Sequence, residues 1–412
     1  MKDFQLGNYN KMIDQPSTKF GSFDQNGLML SNISYPIEFE DYKLSIGSNG
    51  FNNVLSKNKV GTGIRYSFKD SSNQDMFDED KIQNYSSKLY SIFQNIKDKE
   101  GIIFIYSQFI PSGILPLALM LEYNGYTFLN GRNEEILLDC PNKKPKVTIN
   151  GNKLRFIVIS GDKTLSKNSY TDYLTIENQN KDGELVKVIL GSETAAEGLD
   201  FKYIREVHIL DPWHHINKTS QIIGRAIRYC SHIELPLEKR NVIVHLYAST
   251  LSNNPVDDIE TIDIKTYRNA ELKSKQMSDV EYILKQNAVD CNINIENNKF
   301  IGDVWDQIVR VKLPFYSKNV YKNVNISDQD GSKQCNYRSC DYKCNPNLDK
   351  VDLKKINNDT YDKTLVESSI NEYVFYIKEL YKLDFIYDLH DIVTRLQEVI
   401  NLPVEIIKEI IY

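Results

Sequence analysis

The chain has 412 residues, a formal net charge of −6 and 26% charged residues. Its 41% hydrophobic content sits in the globular range and excludes a disordered or collagen-like chain, and six cysteines exclude a disulfide-dense scaffold. Sparse cysteines in a Lys- and Asp-rich background fit a reducing compartment.

No stretch reaches about 18 apolar residues, so no membrane-spanning helix is expected. Met1 to Asn10 has no apolar targeting core, so it is not a signal peptide. Mild acidity argues against a protein that coats nucleic acid, but leaves room for a local basic face.

Residues 1–85 are rich in Ser, Asn, Gly and Asp, with short apolar pieces such as Leu28-Met29-Leu30 and Tyr35-Pro36-Ile37. This stretch is expected to pack as an arm or linker on something else rather than fold alone. From Ile82 the pattern changes: Ile82, Tyr85, Leu89, Ile92, Phe93 and Ile96 recur at helical spacing. Gly101 then opens the continuous apolar run Ile102 to Tyr106, which predicts a strand buried on both faces. Ile114 to Tyr123 predicts a buried helix closed by Asn124-Gly125. Further strands are expected at 155–160, 186–190, 207–210 and 242–246. Strands alternating with helices predict an α/β fold around a parallel sheet.

A polar, Lys- and Asn-rich excursion over 131–183 looks like an insertion, placing the sheet domain at 86–250. Residues 251–412 form an extension of mainly helical character. Met277, Val280, Ile283, Leu284 and Ala288 mark one helix there, and the tail from Ser368 suggests three short ones, with breaks near Asp384 and Leu402-Pro403.

Three local patterns carry chemistry. The first is Gln221-Ile-Ile-Gly-Arg-Ala-Ile-Arg228. On a helix Gln221, Arg225 and Arg228 share a face, where two arginines can hold a triphosphate; Gly224 would admit a neighbouring backbone. The second is Leu190-Gly-Ser-Glu-Thr-Ala-Ala-Glu-Gly-Leu-Asp200, a small-residue turn directly after a predicted parallel strand. Such turns are where α/β folds place ligands. Gly191 and Ser192 offer donors to phosphate, and Asp200 an acceptor for a ribose hydroxyl. The third is Cys335-x₄-Cys340-x₃-Cys344, a cysteine-bearing loop at 335–344, with Cys291 as a fourth thiol. Four thiolates would hold a structural Zn²⁺. The spacing lacks the usual C-x₂-C pair and no His adjoins, so ordinary reduced cysteines are the alternative. His214-His215 is read as a loop pair beside the cleft.

Taken in order, Gly101 to Phe109, Gly191 to Asp200, and Gln221 to Arg228 resemble motifs IV, V and VI of the second RecA-like domain of superfamily 2 helicases. With Val207 to Trp213 and Tyr229-Cys-Ser-His232, the resemblance is to the poxvirus-type nucleoside triphosphatase I and early-transcription-factor helicases of large cytoplasmic DNA viruses. It implies that Arg225 and Arg228 reach the γ-phosphate and that Gln221 couples ATP to motif V. It places Gly198, Asp200 and Gly224 near the nucleotide, and Ser107, Gln108, Ser192, Glu193 and Thr194 along the nucleic-acid backbone. ATP and Mg²⁺ are the implied ligands. The implied partners are nucleic acid and viral RNA polymerase, with no membrane, in the virion or the viral factory of the host cytoplasm.

A complete motor of this kind also needs a first RecA-like domain with G-x-x-x-x-G-K-[ST] and an acidic Mg²⁺ pair. Gly47-Ser-Asn-Gly50 and Gly61-Thr-Gly63 do not continue as that loop, and Asp78-Glu79-Asp80 does not follow an apolar strand. The expectation is a second helicase half, inactive by itself, whose first lobe is another polypeptide or is lost. The alternative is a non-catalytic adaptor that binds nucleic acid or the transcription machinery.

Overall fold

The computed structural model describes residues 1–14, 22–37, 41–61, 63–149, 151–193, 199–251, 260–312, 320–345, 374–384 and 386–399. It divides into two units: residues 1–286 with 294–342, and residues 287–293 with 343–412.

The larger unit is built on a seven-stranded sheet. Its N-terminal region supplies α1 (Asp3–Asp14), α2 (Ser22–Asn32), α3 (Gly47–Val54) and a hairpin of β1 (Leu55–Val60) and β2 (Gly63–Phe68), then α4 (Ser87–Ile96). The sheet region follows with β3 (Ile102–Tyr106), α5 (Leu115–Tyr123), β4 (Thr127–Asn130) and β5 (Asn133–Glu135). Three two-residue strands come next: β6 (Leu138–Asp139), β7 (Thr148–Ile149) and β8 (Asn152–Lys153). The remainder is β9 (Arg155–Ile159), α6 (Ser169–Ile176), β10 (Val188–Gly191), β11 (Ile204–Ile209), α7 (Ile216–Ala226), β12 (Ile243–Leu246) and α8 (Ile262–Asn287). In space the strands run β12-β11-β3-β10-β9-β4-β5. All neighbours are parallel except β4 and β5.

Alternation along these strands splits the core into two layers, as the period of two dictates. Ile103, Ile105, Val188, Leu190, Phe156 and Val158 face α4 and α5. Ile102, Phe104, Ile157, Ile189, Val207 and Ile209 face α6 and α7, where Tyr173 and Ile222 lie. Helices on both faces explain why β3 has no polar position: all five of its residues are buried. The α/β expectation therefore holds. The stretch 131–183, read as a decoration, contributes β5 and β9 to the sheet itself.

The N-terminal region shares the core of the sheet unit, with Tyr35, Phe51 and Phe77 in the layer of α4 and α5, and is far more helical than its composition suggests. Tyr9, Met12, Leu28, Leu30, Tyr42 and Ile46 form a satellite core with Phe109 and Ile262. Gln5 donates to the carbonyls of Leu30 and Ser31, and the Tyr9 hydroxyl accepts from the backbone N–H of Ile262.

One buried charge ties these parts together. Lys88, on α4, is 2% exposed and forms an ion pair with Asp263 of α8 at 2.8 Å. Its ammonium also donates to Asn32 Oδ1 and to the Leu210 carbonyl, both at 3.0 Å. Asn32 in turn donates to Asp211, and Asp263 accepts from the Ser249 N–H. Burial pushes both Asp211 and Asp263 above the usual carboxylate range, with Lys88 opposing the shift.

In the smaller unit, the helix α9 (Leu389–Val399) buries Ile392, Val393 and Leu396 against Ile377, Leu380 and Tyr387. The chain turns at 382–384, near the expected break at Asp384. The expected break at Leu402-Pro403 lies outside the described residues. The structure joins Cys291 to Cys344 and Cys335 to Cys340 as disulfides. This corrects the four-thiolate zinc reading, because a sulfur bonded to sulfur has no thiolate lone pair to give a metal. It also departs from the reduced state expected from composition. Among the described residues no helix is long and apolar enough to cross a membrane.

Removing the cation at position 88 would leave two carboxylates buried without it. Lys88→Met is expected to cost about 3–5 kcal/mol, read as a lower urea midpoint for unfolding of the full chain.

Candidate functional site

The C-terminal ends of β3, β10 and β11 lie side by side in the sheet, as their parallel registers require. This rim carries Ser107 and Gln108 after β3, Ser192 and Glu193 after β10, and Asp211 after β11.

Asp211 organises the β3 end. It is fully buried and accepts from Ser107 Oγ at 2.5 Å and from the Gln108 N–H at 3.1 Å. Gln108 also donates through its side chain to the Pro212 carbonyl. Pro111, Ser112 and Gly113 form an irregular turn into α5. Gly113 is required there: a Cβ on it would sit 2.0 Å from Ser107 Oγ.

Arg225 and Arg228 converge on the residues that leave the small-residue turn. Arg225 Nη1 and Arg228 Nη2 both donate to the Leu199 carbonyl at 3.2 Å. Arg228 Nε lies 3.3 Å from Asp200 Oδ1. Asp200 is held from the other side by Tyr170, whose hydroxyl accepts from its N–H and donates to its carbonyl. Phe201 then anchors the segment in the core, edge-on to Tyr170 and against Phe104.

The helix carrying the arginines is shorter than expected. α7 ends at Ala226, so Arg228 stands two residues beyond it rather than on its face. The chain is turned there by Cys230 at φ 61°. His232 locks the turn by bonding Ser231 Oγ and the Ile204 carbonyl. The guanidinium groups still meet, because both reach the same carbonyl.

Other expected residues fall variously. Ser107 and Ser192 are buried. Ser107 is committed to Asp211, and Ser192 points its N–H and hydroxyl at the Ile159 carbonyl, so neither hydroxyl is presented to a ligand. Glu193 is exposed and lies 3.8 Å from Lys218 of α7. Gln221 is exposed on α7. Gly224 makes no close approach: a Cβ there would meet nothing within 4 Å. Thr194 and Gly198 lie outside the described residues. His214 and His215 are exposed at the start of α7.

Beside Leu199, a groove of about 530 Å³ is lined by Ser160, Lys163, Ser166, Lys167 and Tyr170. Of its polar groups, the Lys167 ammonium is paired with Glu135 at 3.0 Å and the Tyr170 hydroxyl is held by Asp200. The sequence reading missed this groove, and it missed Lys88, Asn32 and Asp211. A basic pair at Lys163 and Lys167 directly after a predicted strand was the available signal.

Two glycine substitutions separate tight from open positions on this rim. Gly113→Ala is expected to destabilise the chain by about 1–3 kcal/mol through overpacking on Ser107. Gly224→Ala is expected to stabilise it by up to about 1 kcal/mol, the helix-propensity gain. Thermal unfolding of the two variants checks both.

Comparison with known proteins agrees with this layout. Residues 120–230 match the helicase conserved C-terminal domain. The Acanthamoeba polyphaga mimivirus protein named ATP-dependent RNA helicase L377 is 27% identical over 98% of this chain and 40% of its own length. A second mimivirus protein, named ATP-dependent RNA helicase R563, is 31% identical over 67% of this chain and 40% of its own. The termination factor NPH-I homolog of an African swine fever virus isolate is 32% identical over 52% of this chain and 34% of its own. The chain thus spans well under half the length of these relatives. Residues 120–230 thus match the helicase conserved C-terminal domain, and the chain is similar to viral proteins named as helicases and as NPH-I termination factor homologues.

Proposed function

We propose that this chain acts as the C-terminal half of a viral superfamily 2 helicase or nucleic-acid-dependent ATPase engaged in transcription. The observation that carries the reading is the convergence of Arg225 and Arg228 on Leu199 and Asp200 at the C-terminal rim of the parallel sheet. Two guanidinium groups at a strand-end crevice supply the fixed positive charge that phosphoryl transfer requires.

In this reading ATP and Mg²⁺ lie between this rim and a first RecA-like lobe, which brings the phosphate loop and the acidic Mg²⁺ pair. Bound ATP supplies the bond whose hydrolysis drives movement. Arg225 and Arg228 hold its γ-phosphate, Gln221 lies one turn before Arg225 on the exposed side of α7, and Asp200 stands near the sugar. The groove with Lys163 and Lys167, together with Gln108 and Glu193, borders the path of the nucleic-acid backbone. Viral RNA polymerase is the proposed protein partner, in the virion or the host cytoplasm. The names of the viral relatives support this setting.

The test is reconstitution. The chain alone is expected to hydrolyse ATP negligibly. Mixed with a polypeptide that carries a matching first lobe, it is expected to turn over ATP with nucleic-acid stimulation. Arg225→Ala or Arg228→Ala in that mixture should lower kcat by about 10³-fold or more. Stimulated turnover by the chain alone, abolished by Arg225→Ala, would refute the division between two lobes. Nucleic-acid binding without turnover in every mixture would favour the non-catalytic adaptor.

A further inference from the structure

We propose that Glu206, His208 and His245 form a binding site for a divalent cation of the zinc class, between β11 and the edge strand β12. The site is separate from the arginine rim. Val207 and Ile209 point to the α7 layer, so Glu206 and His208, alternating with them, point to the opposite face. That face is where α4 packs.

The arrangement follows from the sequence register. Glu206 and His208 sit two apart on β11, and His208 pairs directly with His245 across the parallel ladder. One carboxylate and two imidazoles are thereby brought together with their ligand atoms within 4.8 Å of one another. Glu206 Oε2 lies 3.0 Å from His208 Nε2 and 3.5 Å from His245 Nε2. These lengths bracket the ~3.3 Å ligand-to-ligand edge of a tetrahedral zinc with bonds of ~2.0 Å.

Three features distinguish this cluster from a satisfied polar knot. Glu206 is wholly buried, yet its Oε1 has no hydrogen-bond partner among the described residues. A buried carboxylate oxygen left without a partner is costly. It offers a second donor atom for the cation. Next, His208 is oriented from behind, as ligating histidines are. Its Nδ1 bonds the Tyr247 hydroxyl at 2.8 Å, and that hydroxyl accepts from Asn95 of α4 at 2.9 Å. Finally, the nearby Lys187 turns its ammonium to the Lys99 carbonyl rather than to Glu206.

The two imidazoles are now stacked, 4.4 Å between centroids and 13° from parallel. Parallel rings cannot both aim a lone pair at one ion. Binding therefore requires His245, 13% exposed on the edge strand, to turn out of the stack. The ion then joins β12 to β11 by ligand bonds in addition to the ladder.

The experiment uses the full chain, stripped with a chelator and titrated with Zn²⁺ by calorimetry and with Co²⁺ by absorption. The expected result is one tight equivalent, with the weak visible bands of a nitrogen and oxygen ligand set and no thiolate charge-transfer band. His245→Gln is expected to weaken zinc by more than about tenfold, and Tyr247→Phe by about tenfold through loss of the group that orients His208. Glu206→Gln should abolish binding. Because Glu206 is buried, the edge-strand variant decides if that one fails to fold. A wild-type chain that takes up no zinc, an affinity unchanged in His245→Gln, or a thiolate charge-transfer band would each overturn the site.

Discussion

A single buried ammonium group holds the larger unit together. Lys88 reaches from α4 to Asp263 on α8, to Asn32 at the end of α2 and to the last carbonyl before Asp211. A cation in a place almost free of water is tolerable only when every side of it is met. Four segments far apart in sequence must therefore arrive together, or not at all. Their meeting point lies directly behind the strand-end rim. The Asn32 amide and the Ser107 hydroxyl grip the same Asp211 oxygen, and the Gln108 N–H takes the other. The N-terminal region is thus part of the apparatus that fixes the β3 end.

The rim combines two kinds of order. Its β3 side is sealed, with Ser107 packed so closely on Gly113 that a methyl group does not fit between them. Its β10 side is open and charged, with Arg228, Asp200 and Glu193 facing outward. Under the proposed function both are used, since groups that engage phosphate must move against something that does not. The geometry separates residues locked into the fold, such as Ser107 and Asp211, from the exposed charges of the β10 side.

Much of the sheet was legible because its strands are buried on both faces and read as continuous apolar runs. Ile102 to Tyr106 and Arg155 to Ile159 are examples. The sequence pattern marks β11 only from Val207, three residues after its start at Ile204. Its opening carries Arg205 and Glu206, which are buried only because Arg205 donates to Asn241 and Glu206 meets two histidines. No local pattern announces partners that distant. The N-terminal helices were hidden for a similar reason. Their buried positions include Gln5, Asn8 and Asn32, polar residues satisfied by one another and by neighbouring segments. The arginines were found from their spacing, but the end of α7 was set by Ser231 and His232 reaching back to the turn and to β11. The cysteines show the opposite limit. Their clustering was visible, yet spacing alone could not distinguish thiolates around a metal from two bridges.

The shared use of the Leu199 carbonyl by both arginines has a consequence for timing. In this lobe the two guanidinium groups are already occupied, so engaging a phosphate is an exchange of acceptors rather than the capture of an empty charge. The net gain is the difference between an ionic and a neutral acceptor, smaller than the ionic interaction alone. Under the proposed reading, each cycle therefore ends with a waiting acceptor within reach. The Leu199 carbonyl would serve as a parking place that speeds the release of spent phosphate.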